Sequence, residues 1–465
     1  MPENRRSMEE VDRLLLEEIA KNEKKIIVLD DDPTGVQTVH DISVFTNWSK
    51  ESIRLGFREK KPLFYILTNS RGFTSAETEK VHYEIAAAVD EVAKEEHAQY
   101  LFISRSDSTL RGHYPLETRI LKECYEKNTG ASVDGEILCP FFREGGRITV
   151  GNVHYVKYGE KLVPANETEF AKDKTFGYTS PTMPLYVEEK TGGEYKAEDV
   201  ICISLEDLEA MNIDKITEQL MSVKDFNKII VNAKEYIDIK VFCIALYRAM
   251  AAGKSFMFRT AAALVKVMGG VTDQPLLTRE QMVQQNQTNG GVIVVGSHTD
   301  KTTKQLEALK ELEDIEFIQL DASLVRDEAA LEAEVARCLA IENACIRAGR
   351  TVCCYTTRTL ITADTGNRED ELRLSIRISD AVQALVGRLE VVPSFIIAKG
   401  GITSSDVGTK ALAVQKANVL GQIKPGIPVW QTGGESRFPG IPYVIFPGNV
   451  GEITTLKEAV EVLIG

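Results

Sequence analysis

Short apolar runs rich in β-branched and aromatic residues alternate with helix-patterned segments along most of the chain, and this alternation is the strongest constraint on its fold. An apolar run, an amphipathic helix and a second run make a βαβ unit, and such units build parallel sheets covered by helices. In the first half the runs are IIVLD from Ile26, LFYILT from Leu63, QYLFIS from Gln99, EILCPF from Glu136, VICISL from Val200 and KIIVNA from Lys228. Between the second and third, Thr74 and Glu77 have capping-box spacing, and Val81, Ile85, Val89 and Val92 recur on one helical face. The stretch from Arg147 to Val163 alternates like a hairpin and reads as an excursion from the sheet.

Around 270–290 the pattern lapses into a Gln-, Asn-, Thr- and Gly-rich stretch that reads as a linker. It restarts with VIVVGS at Val292, FIQLDA at Phe317, VCCYTT at Val352 and SFIIAKGG at Ser394, and a helix closes the chain. The 465 residues therefore divide into two α/β domains, near 1–272 and 290–465, with an interdomain active-site cleft expected. Ligands in such folds sit at the carboxyl ends of the strands, so the residues there carry the functional reading.

The net charge of −14 argues against a nucleic-acid partner, which needs a basic face to neutralise phosphates. It leaves room for small anions, because a few arginines can reverse the field inside one cleft. No apolar stretch reaches the roughly 18 residues that span a bilayer, so no membrane role is expected. Eight cysteines without a CxxC pair fit buried thiols in a reducing cytoplasm. A homo-oligomer is left open.

The first run ends in Asp30-Asp31-Asp32-Pro33-Thr34-Gly35. Adjacent carboxylates repel one another, so a cluster at a strand end points to binding of hydroxyls or a cation rather than to turn capping alone. A D-x-D-x-T run, with Leu67-Thr68-Asn69-Ser70 after the next strand, also resembles the haloacid-dehalogenase-type phosphatases. The downstream acidic pair that such an enzyme needs is not evident. Arg71 follows directly and joins the candidate substrate-binding set. The third run leads into Ser104-Arg105-Ser106-Asp107-Ser108-Thr109-Leu110-Arg111-Gly112. Arginine grips a carboxylate or phosphate with two parallel donors, and aspartate can take the proton of an attacking alcohol. Among the six histidines, His113 and His154 lie near these motifs and are candidates for substrate contact, whereas His82 reads as structural.

In the second half, Gly296-Ser297-His298-Thr299 and Lys399-Gly400-Gly401-Ile402-Thr403-Ser404 each lie between a strand and a helix. Gln431 to Glu435 and Phe446-Pro447-Gly448-Asn449 add two glycine-bearing loops. Glycine lets backbone N–H groups approach a phosphate closely. Neither a P-loop nor a GxGxxG fingerprint is present.

Taken together, these motifs resemble the four-carbon acid sugar kinases over nearly the full length, from about Lys25 onward. The family's DDxTG motif corresponds to Asp31 to Gly35, its DSTLRG motif to Asp107 to Gly112, its GS element to Gly296-Ser297, its GGxTS element to Gly400 to Ser404, and its late loop to Gly448-Asn449. Familiar members carry lysine where this chain has Arg105, and often asparagine where it has His113. The resemblance implies a sugar-acid-binding domain followed by an ATP-binding domain, acting with Mg2+ on a small anionic sugar acid such as threonate, erythronate or 3-oxo-tetronate. It implies substrate contacts by Asp31, Asp32, Arg71, Arg105, Arg111, His113 and His154, and Asp107 as the base. ATP contacts fall on Ser297, Gly400, Gly401, Ile402, Thr403, Ser404, Gly448 and Asn449, and no residue is assigned to a metal. The alternatives are a non-catalytic sugar-acid sensor and a phosphatase of the haloacid-dehalogenase type.

Overall fold

The computed structural model describes residues 8–297, 299–359, 361, 368–448 and 450–465, without the side chains of 368–372. The chain forms two compact units, one of Met1–Gly35 with Asn47–Asp273, the other of Val36–Thr46 with Gln274–Gly465.

Strand β1 (Lys25–Asp30) opens the first unit. The chain next supplies β2 (Ile42–Phe45) to the second unit. Back in the first unit follow β3 (Leu63–Leu67), β4 (Tyr100–Arg105) and β5 (Gly135–Cys139). An excursion then forms a separate antiparallel sheet of β6 (Arg147–Val150), β7 (Val153–Tyr158) and β8 (Lys161–Pro164). The main sheet resumes with β9 (Ile201–Ile203), β10 (Asn227–Val231) and β11 (Phe256–Thr260). Its order is β3-β1-β4-β11-β5-β10-β9, and each neighbouring pair is parallel.

Every residue of β3, β4, β5 and β11 is buried. This explains the continuous apolar runs, since a parallel sheet covered on both faces has no solvent side on which to place polar residues. The helix Ser75–Glu95 starts with the expected capping box, Thr74 and Glu77 satisfying each other's backbone N–H groups. The carboxyl ends of β1, β3, β4 and β11 are neighbours in the sheet, so Asp30, Leu67, Arg105 and Thr260 end on one edge.

The second unit contains β12 (Val292–Val295), β13 (Ile315–Leu320), β14 (Thr351–Thr356), β15 (Ile396–Lys399), β16 (Lys416–Lys424), β17 (Ile427–Thr432) and β18 (Pro442–Phe446). The order β13-β14-β12-β15-β18 is parallel, and β17, β16 and β2 continue it antiparallel. The stretch read as a linker is only partly one. Leu277, Met282 and Val283 are buried in the core of this unit, and the Leu277 N–H donates to the Gln422 carbonyl at 2.8 Å.

Candidate active site

The carboxylate cluster after β1 is held by arginines from the next two strand ends. Arg71 donates Nη2 to Asp31 Oδ1 at 2.6 Å and Nε to Asp31 Oδ2 at 3.2 Å, and reaches Asp32 Oδ2 with Nη1 at 3.1 Å. Arg105, 3% exposed, donates Nη1 to Asp30 Oδ1 at 3.1 Å. Asp32 also accepts the Thr34 N–H at 2.8 Å and its hydroxyl at 2.6 Å, which closes the turn. Burial pushes the Asp30 carboxyl up to about 7, with Arg105 opposing and Asp31 adding to the rise. Burial likewise raises Asp31, against the pull of Arg71. For Asp32, burial is outweighed by Arg71 and the Thr34 hydrogen bonds, and the carboxyl lies below its ordinary range. Gly35 packs directly on Asp30: a Cβ there would lie 1.8 Å from Asp30 Oδ2.

The loop after β4 carries Asp107. Its Oδ2 accepts Arg111 Nε at 2.7 Å and the Thr109 hydroxyl. Burial works against ionisation, but Arg111 and Arg71 prevail and hold this carboxyl well below the usual range. The loop is fixed from outside by four donors to four successive carbonyls. His154 Nε2 lies 2.7 Å from the Ser108 oxygen, Tyr178 donates to Thr109 at 2.9 Å, Tyr186 to Leu110 at 2.9 Å, and Arg259 Nη2 to Arg111 at 2.8 Å. Leu110, at φ 70, is in the left-handed region, an uncommon conformation for a branched residue that these bonds sustain. Glu117 braces the strand ends, accepting the hydroxyls of Ser70 at 2.7 Å, Ser104 at 3.0 Å and Ser106 at 3.4 Å. His82 lies 3.9 Å from the same carboxylate, a structural position.

The structure thus brings Asp31, Asp32, Arg71, Arg105, Asp107, Arg111, His113 and His154 into one unit, around adjoining strand-end loops. Two of them are already committed to the backbone. Both ring nitrogens of His154 are engaged, Nδ1 lying 2.9 Å from Thr149 Oγ1, and burial lowers its pKa to about 4. His113 Nε2 lies 3.0 Å from the Phe73 carbonyl oxygen, and its ring meets Phe176 edge-on. Sequence reasoning missed Arg259 and Thr260 because β11 was not recognised. It also missed Arg147, a guanidinium 5% exposed whose Nε has no hydrogen-bond partner.

In the second unit, three of the glycine-bearing loops converge at the carboxyl ends of β12, β15 and β18. A Cβ on Gly296 would lie 2.3 Å from Thr403 Oγ1, and one on Gly400 would lie 3.1 Å from Ser297 Cβ. Lys399, fully buried, donates to the Pro447 carbonyl at 2.7 Å and ties the third loop to them. Burial lowers its pKa to about 7, and Lys301 adds to that. Around Gly448 a Cβ would meet nothing within 4 Å. Ile402 is 75% exposed, whereas Ser404 is buried with its hydroxyl on the Ala398 carbonyl. The fourth loop, Gln431 to Glu435, is not part of this group: β17 runs antiparallel to β18, which puts Gln431 beside Pro442 at the opposite end of the sheet. His298 and Asn449 lie outside the described residues. Arg358, two residues beyond β14, was not singled out by the sequence; it donates to the Ser297 carbonyl and to Thr303 Oγ1 at 3.1 Å, and its Nε and Nη1 have no partner.

Among the described residues, no three His, Cys, Asp or Glu side chains converge as a metal-binding set, and no helix is long and apolar enough to cross a membrane.

Two parallel-sheet units with polar strand-end loops define a two-domain α/β protein, and the comparisons give its family. Residues 26–268 match the family model described as a sugar-binding N-terminal domain, and residues 292–456 the one described as a nucleotide-binding C-terminal domain. The chain belongs to the four-carbon acid sugar kinase family. A Haemophilus influenzae structure of this family is similar at 17% identity and a TM-score of 0.61, over 94% of this chain and 100% of its own. A Salmonella typhimurium protein described as a tRNA synthase is similar at 14% identity and a TM-score of 0.67, over 94% and 98%. At these identities the likeness concerns the fold. No curated protein matches the sequence.

Proposed function

We propose that the protein transfers the γ-phosphoryl group of ATP to a hydroxyl of a small sugar acid, a four-carbon aldonic acid or a close analogue. The observation that carries this reading is the presence, in one chain, of a nucleotide-binding domain and a sugar-binding domain whose strand ends carry paired carboxylates and guanidiniums. Carboxylates suit a polyol, because each oxygen accepts a hydroxyl proton. Guanidiniums suit the acid group and the charge that develops on a transferring phosphoryl.

In this reading Asp31 and Asp32, with Arg71, orient the substrate hydroxyls, and Asp107 receives the proton of the attacking alcohol. A carboxylate held at low pKa is a weak base, which suits phosphoryl transfer: the transition state is loose and the proton leaves late, so orientation of the alcohol matters more than basicity. Gly296, Ser297, Gly400, Gly401, Thr403 and Gly448 would bound the phosphate site, with Lys399 holding the third loop in register. The small or absent side chains there leave room for close approach to phosphate oxygens. Mg2+ would neutralise phosphate charge when bound with the nucleotide, and Asn449 remains a proposed ATP contact.

The phosphatase alternative would need Asp30 as a nucleophile. Its burial to 1%, its ion pair with Arg105 and the contact with Gly35 speak against attack from that position. The test is an ADP-coupled assay of the full chain with four- to six-carbon acids. Acid-dependent ADP formation supports the kinase. Acid binding without turnover supports the sensor instead.

A further inference from the structure

The arginines around the loop after β4 differ in one respect that bears on substrate recognition. Arg71, Arg105 and Arg111 are each neutralised: Arg71 by Asp31 and Asp32, Arg105 by Asp30, Arg111 by Asp107. Arg259 is not. It is 7% exposed, it spends Nη2 on the Arg111 carbonyl, and among the described residues no carboxylate lies within ion-pair distance. A guanidinium has five N–H donors, and one carbonyl uses only one of them. Its charge is opposed only at longer range, by Glu117, and a buried guanidinium without a direct ion pair marks a place where an anion can be held.

Two further observations place that anion. Arg259, Asp107 and Thr260 line one cavity of about 10 Å³, room for a single oxygen-sized group, walled by Leu110, Leu138, Pro140, Met183 and Tyr186. Thr260 Oγ1 is buried in the protein with no hydrogen-bond partner, and an unmet buried hydroxyl is costly unless a ligand or water satisfies it. Gly112, at φ +117, stands where a Cβ would lie 3.0 Å from Arg259 Nη2 and 3.2 Å from Asp31 Oδ2. The glycine therefore keeps a side chain out of the space between the arginine and the carboxylate assigned to the substrate hydroxyls.

We infer that Arg259 is the carboxylate anchor of the sugar-acid site, with the Thr260 hydroxyl as a second donor to the same acid group. The inference rests on the sugar-acid reading above and moves the anchoring role away from Arg105 and Arg111, which serve to fix Asp30 and Asp107. It makes Arg259 the residue that distinguishes an acid from the corresponding neutral polyol: the polyol offers the same hydroxyls to Asp31 and Asp32 but nothing to neutralise the guanidinium. The apolar walls lower the local dielectric, which would strengthen an ion pair formed there.

The test is direct binding to the full chain, by calorimetry, of threonate and erythronate and of their uncharged counterparts threitol and erythritol. The wild-type protein is expected to prefer an acid over its polyol. Arg259→Met is expected to weaken acid binding about 10- to 100-fold, as for a lost charge-assisted hydrogen bond, and to leave polyol binding nearly unchanged. Arg259→Lys, which keeps the charge, guards against misfolding of the methionine variant and is expected to retain part of the preference. Thr260→Val should show a smaller loss in the same direction. An acid preference that survives in folded Arg259→Met, or one that collapses in Arg147→Met instead, overturns the inference. If no acid binds the wild-type chain, the sugar-acid reading itself fails.

Discussion

Asp107 and His154 show how one loop is given both its chemistry and its rigidity. Asp107 faces the cavity lined by Arg259 and is ion-paired to Arg111. Asp107→Asn keeps the shape and much of the hydrogen bonding but removes the proton acceptor. It should lower kcat roughly 10²–10⁴-fold with little change in KM, the range expected for loss of a general base. Near-normal kcat in the folded variant would move the role to Asp31 or Asp32. His154 supports the same loop through the Ser108 carbonyl in its neutral form. Its folded pKa of about 4 lies below that of a free histidine, so the unfolded chain binds the extra proton between about pH 6.5 and 4. The contribution of His154 should therefore be full above pH 6.5 and fall as the pH drops through that window, by about 1.4 kcal/mol per unit at its steepest, while the raised Asp30 carboxyl contributes in the opposite direction, so the His154 part is read as the difference between the wild-type chain and a His154 variant. Denaturant midpoints at pH 5 and pH 7.5 check this. His154→Gln should be less stable at neutral pH but should show a flatter pH dependence, and an unchanged slope would contradict the assignment.

At the scale of elements, the loops do their work by close approach. Gly400, at φ +115, holds a backbone conformation that alanine disfavours, and its would-be Cβ meets Ser297. Gly400→Ala should weaken ATP binding at least about 10-fold while the acid still binds, because a strained or displaced loop costs on the order of 1–3 kcal/mol. Calorimetry with each ligand separates the two effects. How much of this was legible in the sequence depends on burial. The parallel strands β3, β4 and β5 are buried along their whole length and were visible as unbroken apolar runs. Strand β11, five residues reading FMFRT, ends in Arg259 and Thr260, so its polar end disguised it and the two residues went unnoticed. Strand β16 alternates buried and half-buried residues, Pro428 lies within β17 and Pro442 opens β18, so this end of the sheet gave only a weak signal. The DSTLRG and GGxTS motifs were legible because their chemistry is local. The four donors to the carbonyls of residues 108–111 were not, since they come from β7, from Tyr178, from the helix Met183–Lys190 and from β11, far apart in the chain.

For the molecule as a whole, the second unit is not one continuous segment. Strand β2, from the first fifty residues, pairs antiparallel with β16, and Leu277, Met282 and Val283 fill its core. A fragment of residues 290–465 lacks both pieces. It leaves β16 with an unpaired edge and opens a cavity where three apolar side chains belong, and either defect costs several kcal/mol. The fragment should unfold or aggregate, whereas residues 274–465 supplied with a tethered copy of 36–46 should be markedly more stable to heat. Equal stability of the two would show that β2 is dispensable.

The central claim is phosphoryl transfer to a sugar acid, and its most direct measurement follows the label. The full chain is incubated with ATP labelled in the γ-phosphoryl group and with each four-carbon acid in turn, and the products are separated. The account predicts label on the acid, in step with ADP, and none covalently attached to Asp30. Label released only as inorganic phosphate regardless of the acid, or trapped on Asp30 during turnover, would contradict it.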